Sequence, residues 1–440
     1  MRKRFQFLLL LGGCIGVLVF YAKIWPAYFG TLKTVPPRAP TISANVETTE
    51  PLIPVKKTFD NSDYQQQVII GQRDMIAQEL ANYPFQNSSF RLDRLRVMQE
   101  TGDAYGSFRL GRLRDIFRLD RLLTNAGGAP IRYMIVTTWR SGSTFLADVL
   151  NSHPAMFYHY EPLMDFGIRR VRHGALADKA VTNIQRLMSC DYSEMGDYIA
   201  YSRTHHYVQE HNWRLWRYCG AGKREFCWRS DFLSAFCRLF PFQTMKTVRL
   251  ALNATERLLK AQPELRVLLL VRDPRGTLQS RGHRTWCPHQ PDCDDPARLC
   301  DDLVADYWAA QRLAKLYPPH RLRVVRYEDF SLHLNSSVPA LLHHARLHYH
   351  STIQQFVKGH TSFSKGDVSS TFRKSNVAPF MWPKSLTWPK VRAIQSTCSK
   401  AMKLWGYKTM PKEVWELENR KSAVPNPSNF IDVLELGNLL

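Results

Sequence analysis

The first contrast along the chain is an uncharged, mostly apolar run from Phe5 to Phe20, led by Arg2, Lys3 and Arg4. Apolar residues resume at Ile24 and Trp25 with no small-x-small cleavage site after them, so the pattern predicts an uncleaved signal-anchor helix over 5–22 rather than a removed signal peptide. Positive residues stay on the cytoplasmic side, which puts residues 1–4 in the cytosol and the remainder in a lumen, a type II topology. From 23 to 64 the apolar pattern lapses, and Pro36, Pro37, Pro40, Pro51 and Pro54 mark a stem. Residues 65–130 read as a lead-in whose stretch Phe90 to Leu123 is basic, with Leu92, Leu95, Leu110, Leu113 and Phe117 near helical spacing.

A globular domain is expected over 131–410, followed by a tail over 411–440. Ile131 to Thr138 is a short apolar run rich in β-branched residues; a polar turn and a helical pattern from Thr144 to Leu150 follow, with His153-Pro154 as a stop. The alternation continues with strands over Met156–Tyr160, Arg266–Val271 and Leu322–Arg326 and helices over Ala251–Lys260 and Asp302–Leu316. Strands alternating with helices predict an α/β fold with a central parallel sheet, whose ligands gather beyond the carboxyl ends of the strands.

Charge adds a preference for anions: the 440 residues carry a formal net charge of +22. Such a surface attracts nucleic acid, anionic glycans or phosphorylated small molecules over about 8 Å at physiological salt. Cys14 falls in the apolar span, and the other eight cysteines can pair fully in a lumen, although the sequence leaves their pairing open. Asn87, Asn253 and Asn335 each begin a glycosylation triplet.

The turn Thr137-Thr-Trp-Arg-Ser-Gly-Ser-Thr-Phe145 sits between the first strand and its helix. A helix N-terminus there offers unpaired N–H groups, so the amides of Gly142, Ser143, Thr144 and Phe145 can wrap a phosphate, with Ser141, Ser143 and Thr144 supplying hydroxyls and Arg140 a planar cation. The bland alternative is a serine helix cap. A Walker A loop needs a first glycine and a lysine that this turn lacks, which argues against a kinase. A second basic turn, Arg272-Asp-Pro-Arg-Gly276 with Ser280 beyond it, follows the buried strand Arg266–Val271. From the residues alone it would be a type I turn.

Together, in this order, the two turns resemble the phosphosulfate-binding motifs of the Golgi carbohydrate 6-O-sulfotransferases. Further similar segments are Lys246-Thr-Val-Arg-Leu250, Arg326-Tyr-Glu-Asp329, Ser370-Thr-Phe-Arg373 and Cys398 with Trp405-Gly-Tyr407, so the resemblance runs from Tyr133 to about Tyr407. Two departures stand out: Trp139 precedes Arg140 where the family more often has arginine directly after Thr-Thr, and Trp382 and Pro383 interrupt the late segment.

The resemblance implies a P-loop-kinase-like sulfotransferase fold and a Golgi location. It implies 3'-phosphoadenosine 5'-phosphosulfate as donor without a required metal, and a glycan or proteoglycan acceptor rather than nucleic acid. The acceptor would be the 6-hydroxyl of galactose, N-acetylgalactosamine or N-acetylglucosamine in keratan- or chondroitin-type chains. Arg140 to Phe145 would then hold the 5'-phosphosulfate, Arg272 and Ser280 the 3'-phosphate, and Arg373 the nucleotide.

Sulfuryl transfer also needs a proton acceptor. Glu161, directly after the strand Met156–Tyr160, is the candidate by position and by resemblance. Its alternatives are a surface carboxylate or a partner of an arginine such as Arg140. His159 is a second candidate base that alternation turns to the opposite face of its strand. Lys246 and Arg249 are candidate acceptor-side cations, or surface cations beside a buried Val248 and Leu250. A rival class, the metal-dependent glycosyltransferases, would use an acidic pair such as Asp292-Cys-Asp294, here read as a solvated loop; a non-enzymatic glycan-binding protein is the third reading.

Overall fold

Residues 61–81, 122, 128–220, 224–362, 364, 371–420 and 425–432 are described by a computed structural model of the chain. The expected membrane span, nearly all of the stem and of the basic stretch from Phe90, and Asn87 and Ser370 lie outside these residues. No helix among the described residues is long and apolar enough to cross a membrane.

Five parallel strands form the centre: β1 (Ile131–Val136), β2 (Met156–Tyr160), β3 (Phe242–Thr247), β4 (Arg266–Val271) and β5 (Leu322–Arg326), in the order β2-β3-β1-β4-β5. β4, Arg-Val-Leu-Leu-Leu-Val, is buried along its whole length, as a parallel strand covered on both faces requires. β5 alternates buried and half-buried positions, in keeping with its place at the sheet edge.

The expected strands are present, with β1 ending two residues early at Val136. The helix expected over Ala251–Lys260 begins as a 3-10 turn, Leu252–Ala254, and continues as an α-helix over Thr255–Ala261. The helix expected from Asp302 starts earlier, at Pro296, where Asp295 caps it by accepting from the Ala297 amide. Strand β3 was not anticipated. Four of the six residues in its sequence Phe-Gln-Thr-Met-Lys-Thr are polar, yet every one is buried between β1 and β2.

The helices needed below are α1 (Asn61–Ala81), α2 (Ser143–Asn151), α3 (Gly196–Thr204), α4 (Tyr207–Glu210), α5 (Pro274–Gly282), α6 (Pro296–Leu316), α7 (Tyr327–Leu332) and α8 (Ser351–Thr361). α1 runs through the expected stem boundary and buries Val68 and Ile76 in the main core. After β1 the chain crosses to β2 on one side of the sheet, and after β4 it crosses to β5 on the other. The crevice between the carboxyl ends of β1 and β4 is therefore the topological switch point, where ligands bind in such sheets.

All eight cysteines of the expected lumenal part are paired, as Cys190–Cys237, Cys219–Cys227, Cys287–Cys293 and Cys300–Cys398. The last spans 98 residues and ties α6 to the C-terminal helices. A closed loop of that length restricts the unfolded chain strongly, so Cys398→Ala is expected to lower stability by about 2–5 kcal/mol, read as a fall in Tm. An unchanged Tm would contradict the pairing.

Candidate functional site

β1 and β4 are neighbours, and their registers place Val136 beside Leu269. The turns that follow them must therefore emerge side by side. In the first turn Arg140 and Gly142 both adopt left-handed backbone, with φ of 65° and 89°. Glycine at 142 is required twice over, because a Cβ there would lie 2.3 Å from Cε2 of Tyr327, the first residue of α7. The second turn is a helix start rather than an isolated type I turn. Asp273 caps α5 by accepting from the Arg275 amide at 2.8 Å, and Pro274 fills the first helical position.

The two turns are joined directly. Arg272 Nη1 donates to the Arg140 carbonyl at 2.7 Å, and Arg140 Nε donates to Ser280 Oγ at 3.0 Å. The Arg272 guanidinium lies 4.9 Å over the Tyr327 ring, which also packs on Gly142. Tyr327 thus sets the spacing of both turns, a role that the sequence did not disclose.

Burial first, and then the like charges of Arg284, Arg272 and Arg373, bring the Arg140 guanidinium down to about 10, with Tyr160 acting in the opposite sense. An arginine stays charged there at neutral pH, so the shift expresses first the cost of burying that charge and then the crowding of cations around it. An incoming phosphate relieves it. Ser141 and Ser143 are buried, and Ser141 Oγ lies 2.7 Å from Thr137 Oγ1.

Arg281 is buried and clamps the turn from beneath, donating to Trp139 O at 3.0 Å, Thr138 Oγ1 at 2.6 Å and Cys293 O at 2.6 Å. The extra aromatic, Trp139, is buried near the Arg249 and Arg281 guanidiniums. Trp382, the other departure, lies over Arg275 and sets its indole 3.3 Å from where a Cβ on Gly276 would be. Both departures are thus packing features of the two turns.

Arg373 reaches this group through ring stacking. Phe372 stacks on His360, His360 on Phe356 and Phe356 on Phe145, with centroid separations of 3.8, 4.0 and 6.0 Å. The late segment is thereby laid along α8 beside the N-terminus of α2.

Glu161 and its partners form a second group at the ends of β2 and β3. Glu161 has left-handed backbone, φ 46°, unusual for a non-glycine residue and concentrated at functional sites. It is neither a surface carboxylate nor a partner of Arg140. Its Oε1 accepts from Lys246 Nζ at 2.6 Å, and its Oε2 accepts from Arg249 Nη1 at 3.1 Å and from the Val248 amide at 3.3 Å.

Lys246 and Arg249 are correspondingly buried rather than surface cations. Burial disfavours the Lys246 charge, but Glu161 and Tyr160 outweigh it and the ammonium titrates higher than usual. Lys246 Nζ also sits 4.2 Å over the Tyr160 ring. A carboxylate offers about four acceptor positions. Three are filled, two on Oε2 and one on Oε1.

His159 points the other way, as alternation requires, with Phe157 4.8 Å away and Tyr192 OH 3.4 Å from its Nδ1. Burial lowers its imidazole to about 3, against a weaker upward pull from Gln243, which makes it a poor base at neutral pH.

Asp148 was missed, because a lone acid in an apolar helix carries no sequence signal. It lies one turn beyond Thr144 on α2 and is half-buried; burial raises its carboxyl to about 7, while Lys246 pulls it down. A carboxyl near 4 when unfolded and near 7 when folded favours the native state as pH falls and opposes it as pH rises through that window. Asp148→Asn should therefore gain stability over the unmodified protein between about pH 4 and 7 and hold that gain above it. After allowance for residual exposure the gain is about 1–2 kcal/mol, read from Tm against pH. A gap that narrowed with rising pH would contradict this placement.

The acidic pair is not a solvated loop. Residues Pro291–Asp294 form a short helix, and Asp292 accepts from Arg172 at 2.9 Å, Arg298 at 3.2 Å and the Arg170 amide at 2.8 Å. Asp294 accepts from the His289 amide, and Cys293 is in a disulfide. Arginines crowd this loop and turn its acids into anchors. Asn253 and Asn335 are both exposed, and Asn253 Oδ1 accepts from Arg312 at 2.6 Å.

Comparison with known proteins finds carbohydrate sulfotransferases among the relatives of this chain. The human carbohydrate sulfotransferase 6 is 26% identical over 341 residues, covering 66% of this chain and 84% of its own. The human carbohydrate sulfotransferase 5 is 25% identical over 336 residues, covering 64% and 79%. The mouse carbohydrate sulfotransferase 1 is 24% identical over 359 residues, covering 68% and 84%. The model of the sulfotransferase family matches residues 133–351, from β1 to the first residue of α8, and holds both turns and Glu161. By this match the chain carries a domain of the sulfotransferase family.

Proposed function

We propose that the chain transfers a sulfuryl group from 3'-phosphoadenosine 5'-phosphosulfate to a sugar hydroxyl of a glycan. The observation that carries this reading is the join between the two turns, in which Arg272 holds the Arg140 backbone and Arg140 holds Ser280. One nucleotide with phosphates at both ends fits two cationic turns so linked, and the carbohydrate sulfotransferase relatives supply the acceptor class. The 6-hydroxyl of galactose, N-acetylgalactosamine or N-acetylglucosamine in keratan- or chondroitin-type chains is the acceptor we favour.

In the reaction the acceptor oxygen attacks sulfur, and the bond from sulfur to the bridging phosphate oxygen breaks. Adenosine 3',5'-diphosphate leaves, and the hydroxyl proton passes to Glu161. Charge gathers on the departing phosphate, where Arg140 and the α2 amides stabilise it. Lys246 and Arg249 hold the carboxylate in place, so that the reacting oxygen meets an oriented acceptor.

The anchor expected over 5–22 from the sequence and the paired cysteines suit a Golgi membrane protein with its catalytic domain in the lumen, and we propose that location. Asn253 and Asn335, both exposed, and the triplet at Asn87 would then lie in the compartment where glycosylation occurs. Retention on immobilised adenosine 3',5'-diphosphate without added metal is the expected behaviour. Retention on a nucleotide sugar that depends on Mn²⁺ would favour the glycosyltransferase reading instead.

A further inference from the structure

Between α3 and β3 the chain places aromatic rings beside the second group of site residues. Tyr201 of α3 stacks face to face on His205, with centroids 4.0 Å apart and planes 5° from parallel. His205 meets Tyr207 edge-on at 5.8 Å and 86°, and the hydroxyls of Tyr201 and Tyr207 lie 3.2 Å apart. Tyr207 is fixed at its rim and its hydroxyl, yet remains 38% exposed.

Exposed aromatics are ordinary when they stand alone. Trp308, on α6, is more exposed than Tyr207, and its ring packs edge-on against Tyr307 of the same helix. Trp213 already carries the Arg214 guanidinium 4.3 Å from its ring. Tyr207 differs because it opens α4, and the residue that caps the other end of α4, His211, stacks on Tyr160 at 3.7 Å. The Asn151 amide fixes His211 by donating to its carbonyl at 2.7 Å. Tyr160 in turn lies under Lys246, the partner of Glu161. Two ring clusters, Tyr160 with His211 and Tyr207 with His205 and Tyr201, thus stand at the two ends of α4, a helix about 6 Å long, and the first of them packs on the partner of Glu161.

We propose that Tyr207, backed by Tyr201 and His205, is the platform on which the acceptor glycan rests the sugar next to the one being sulfated. A pyranose presents one face of C–H groups ringed by hydroxyls. A tyrosine ring with a wet phenolic edge matches both parts of that surface. The proposal rests on the sulfotransferase reading and adds the subsite that selects an oligosaccharide over a single sugar.

The test compares Tyr207→Ala and Tyr207→Phe in the full-length protein, with steady-state kinetics on oligosaccharide and monosaccharide acceptors and direct binding of adenosine 3',5'-diphosphate. Tyr207→Ala should raise KM for the oligosaccharide about tenfold, leave the monosaccharide value within about twofold and leave nucleotide binding in place. Tyr207→Phe keeps the ring and should stay close to the unmodified protein. An unchanged oligosaccharide KM in Tyr207→Ala overturns the platform. So does an equal loss in Tyr207→Phe, or a parallel loss of nucleotide binding. If the unmodified protein sulfates no glycan at all, the function reading itself fails and takes the platform with it.

Discussion

Glu161→Gln is expected to reduce kcat by about 10²–10⁴, the usual contribution of a positioned base, while adenosine 3',5'-diphosphate binds within about twofold of its original affinity. The substitution keeps the side-chain shape and removes the charge that Lys246 and Arg249 face. Breaking a buried ion pair by neutralising one member costs about 3–5 kcal/mol, so Tm should fall as well. Retained nucleotide binding separates a folded, inactive enzyme from an unfolded one. Glu161→Asp keeps the charge but draws it back from the acceptor, and should recover more of the stability than of the rate. Near-normal turnover in Glu161→Gln would remove Glu161 from the chemistry and leave it as a scaffold for β2 and β3.

The second large effect is expected at Gly142. Alanine there must hold φ near 89°, a conformation that costs a residue with Cβ about 1–2 kcal/mol. It must also displace Tyr327, since its Cβ would sit 2.3 Å from Cε2 of that ring, and overpacking of this kind costs about 1–3 kcal/mol. Because Arg272 rests on the same ring, the displacement reaches the second turn. Gly142→Ala should lower Tm and weaken adenosine 3',5'-diphosphate binding about tenfold or more. Adding Tyr327→Leu should restore part of the stability, a coupling that independent sites would not show. Undiminished binding in Gly142→Ala would mean that the spacing of the turns does not govern the nucleotide.

The parts of the fold legible in the sequence were those whose local pattern agrees with their burial. β4 is a run of buried aliphatics, and the apolar positions of α2 mark its inward face. β3 was illegible because it uses central, buried positions for polar work. Gln243 lies against the Cys190–Cys237 disulfide, and Lys246 meets Glu161. A strand that spends its core positions on function loses the hydrophobic signature by which strands are recognised.

The two turns proposed to hold phosphates could be singled out by residue type and order, since each follows a strand and carries cationic and hydroxyl side chains. Their mutual geometry could not, because it depends on the adjacency of β1 and β4 and on Tyr327, brought in from beyond β5. The same limit applied to the cations. Lys246 and Arg249 lie only three residues apart, yet nothing in the sequence pairs them with a carboxylate more than eighty residues earlier. Arg326, Glu328 and Tyr407 sort themselves likewise only in three dimensions. Glu328 accepts from the Asp273 amide and the Tyr407 hydroxyl, and Arg326 pairs with Asp329 and donates to the carbonyls of Trp405 and Gly406. Segments that resembled family motifs thus proved to be the frame beneath the second turn.

The most direct measurement is transfer of labelled sulfate from 3'-phosphoadenosine 5'-phosphosulfate to a panel of desulfated glycans, with the modified position determined in the product. The proposal predicts metal-independent transfer to the 6-hydroxyl of a galactose or N-acetylhexosamine residue, lost in Glu161→Gln. Absence of transfer to every glycan in the panel, alongside Mn²⁺-dependent use of a nucleotide sugar, would contradict the account.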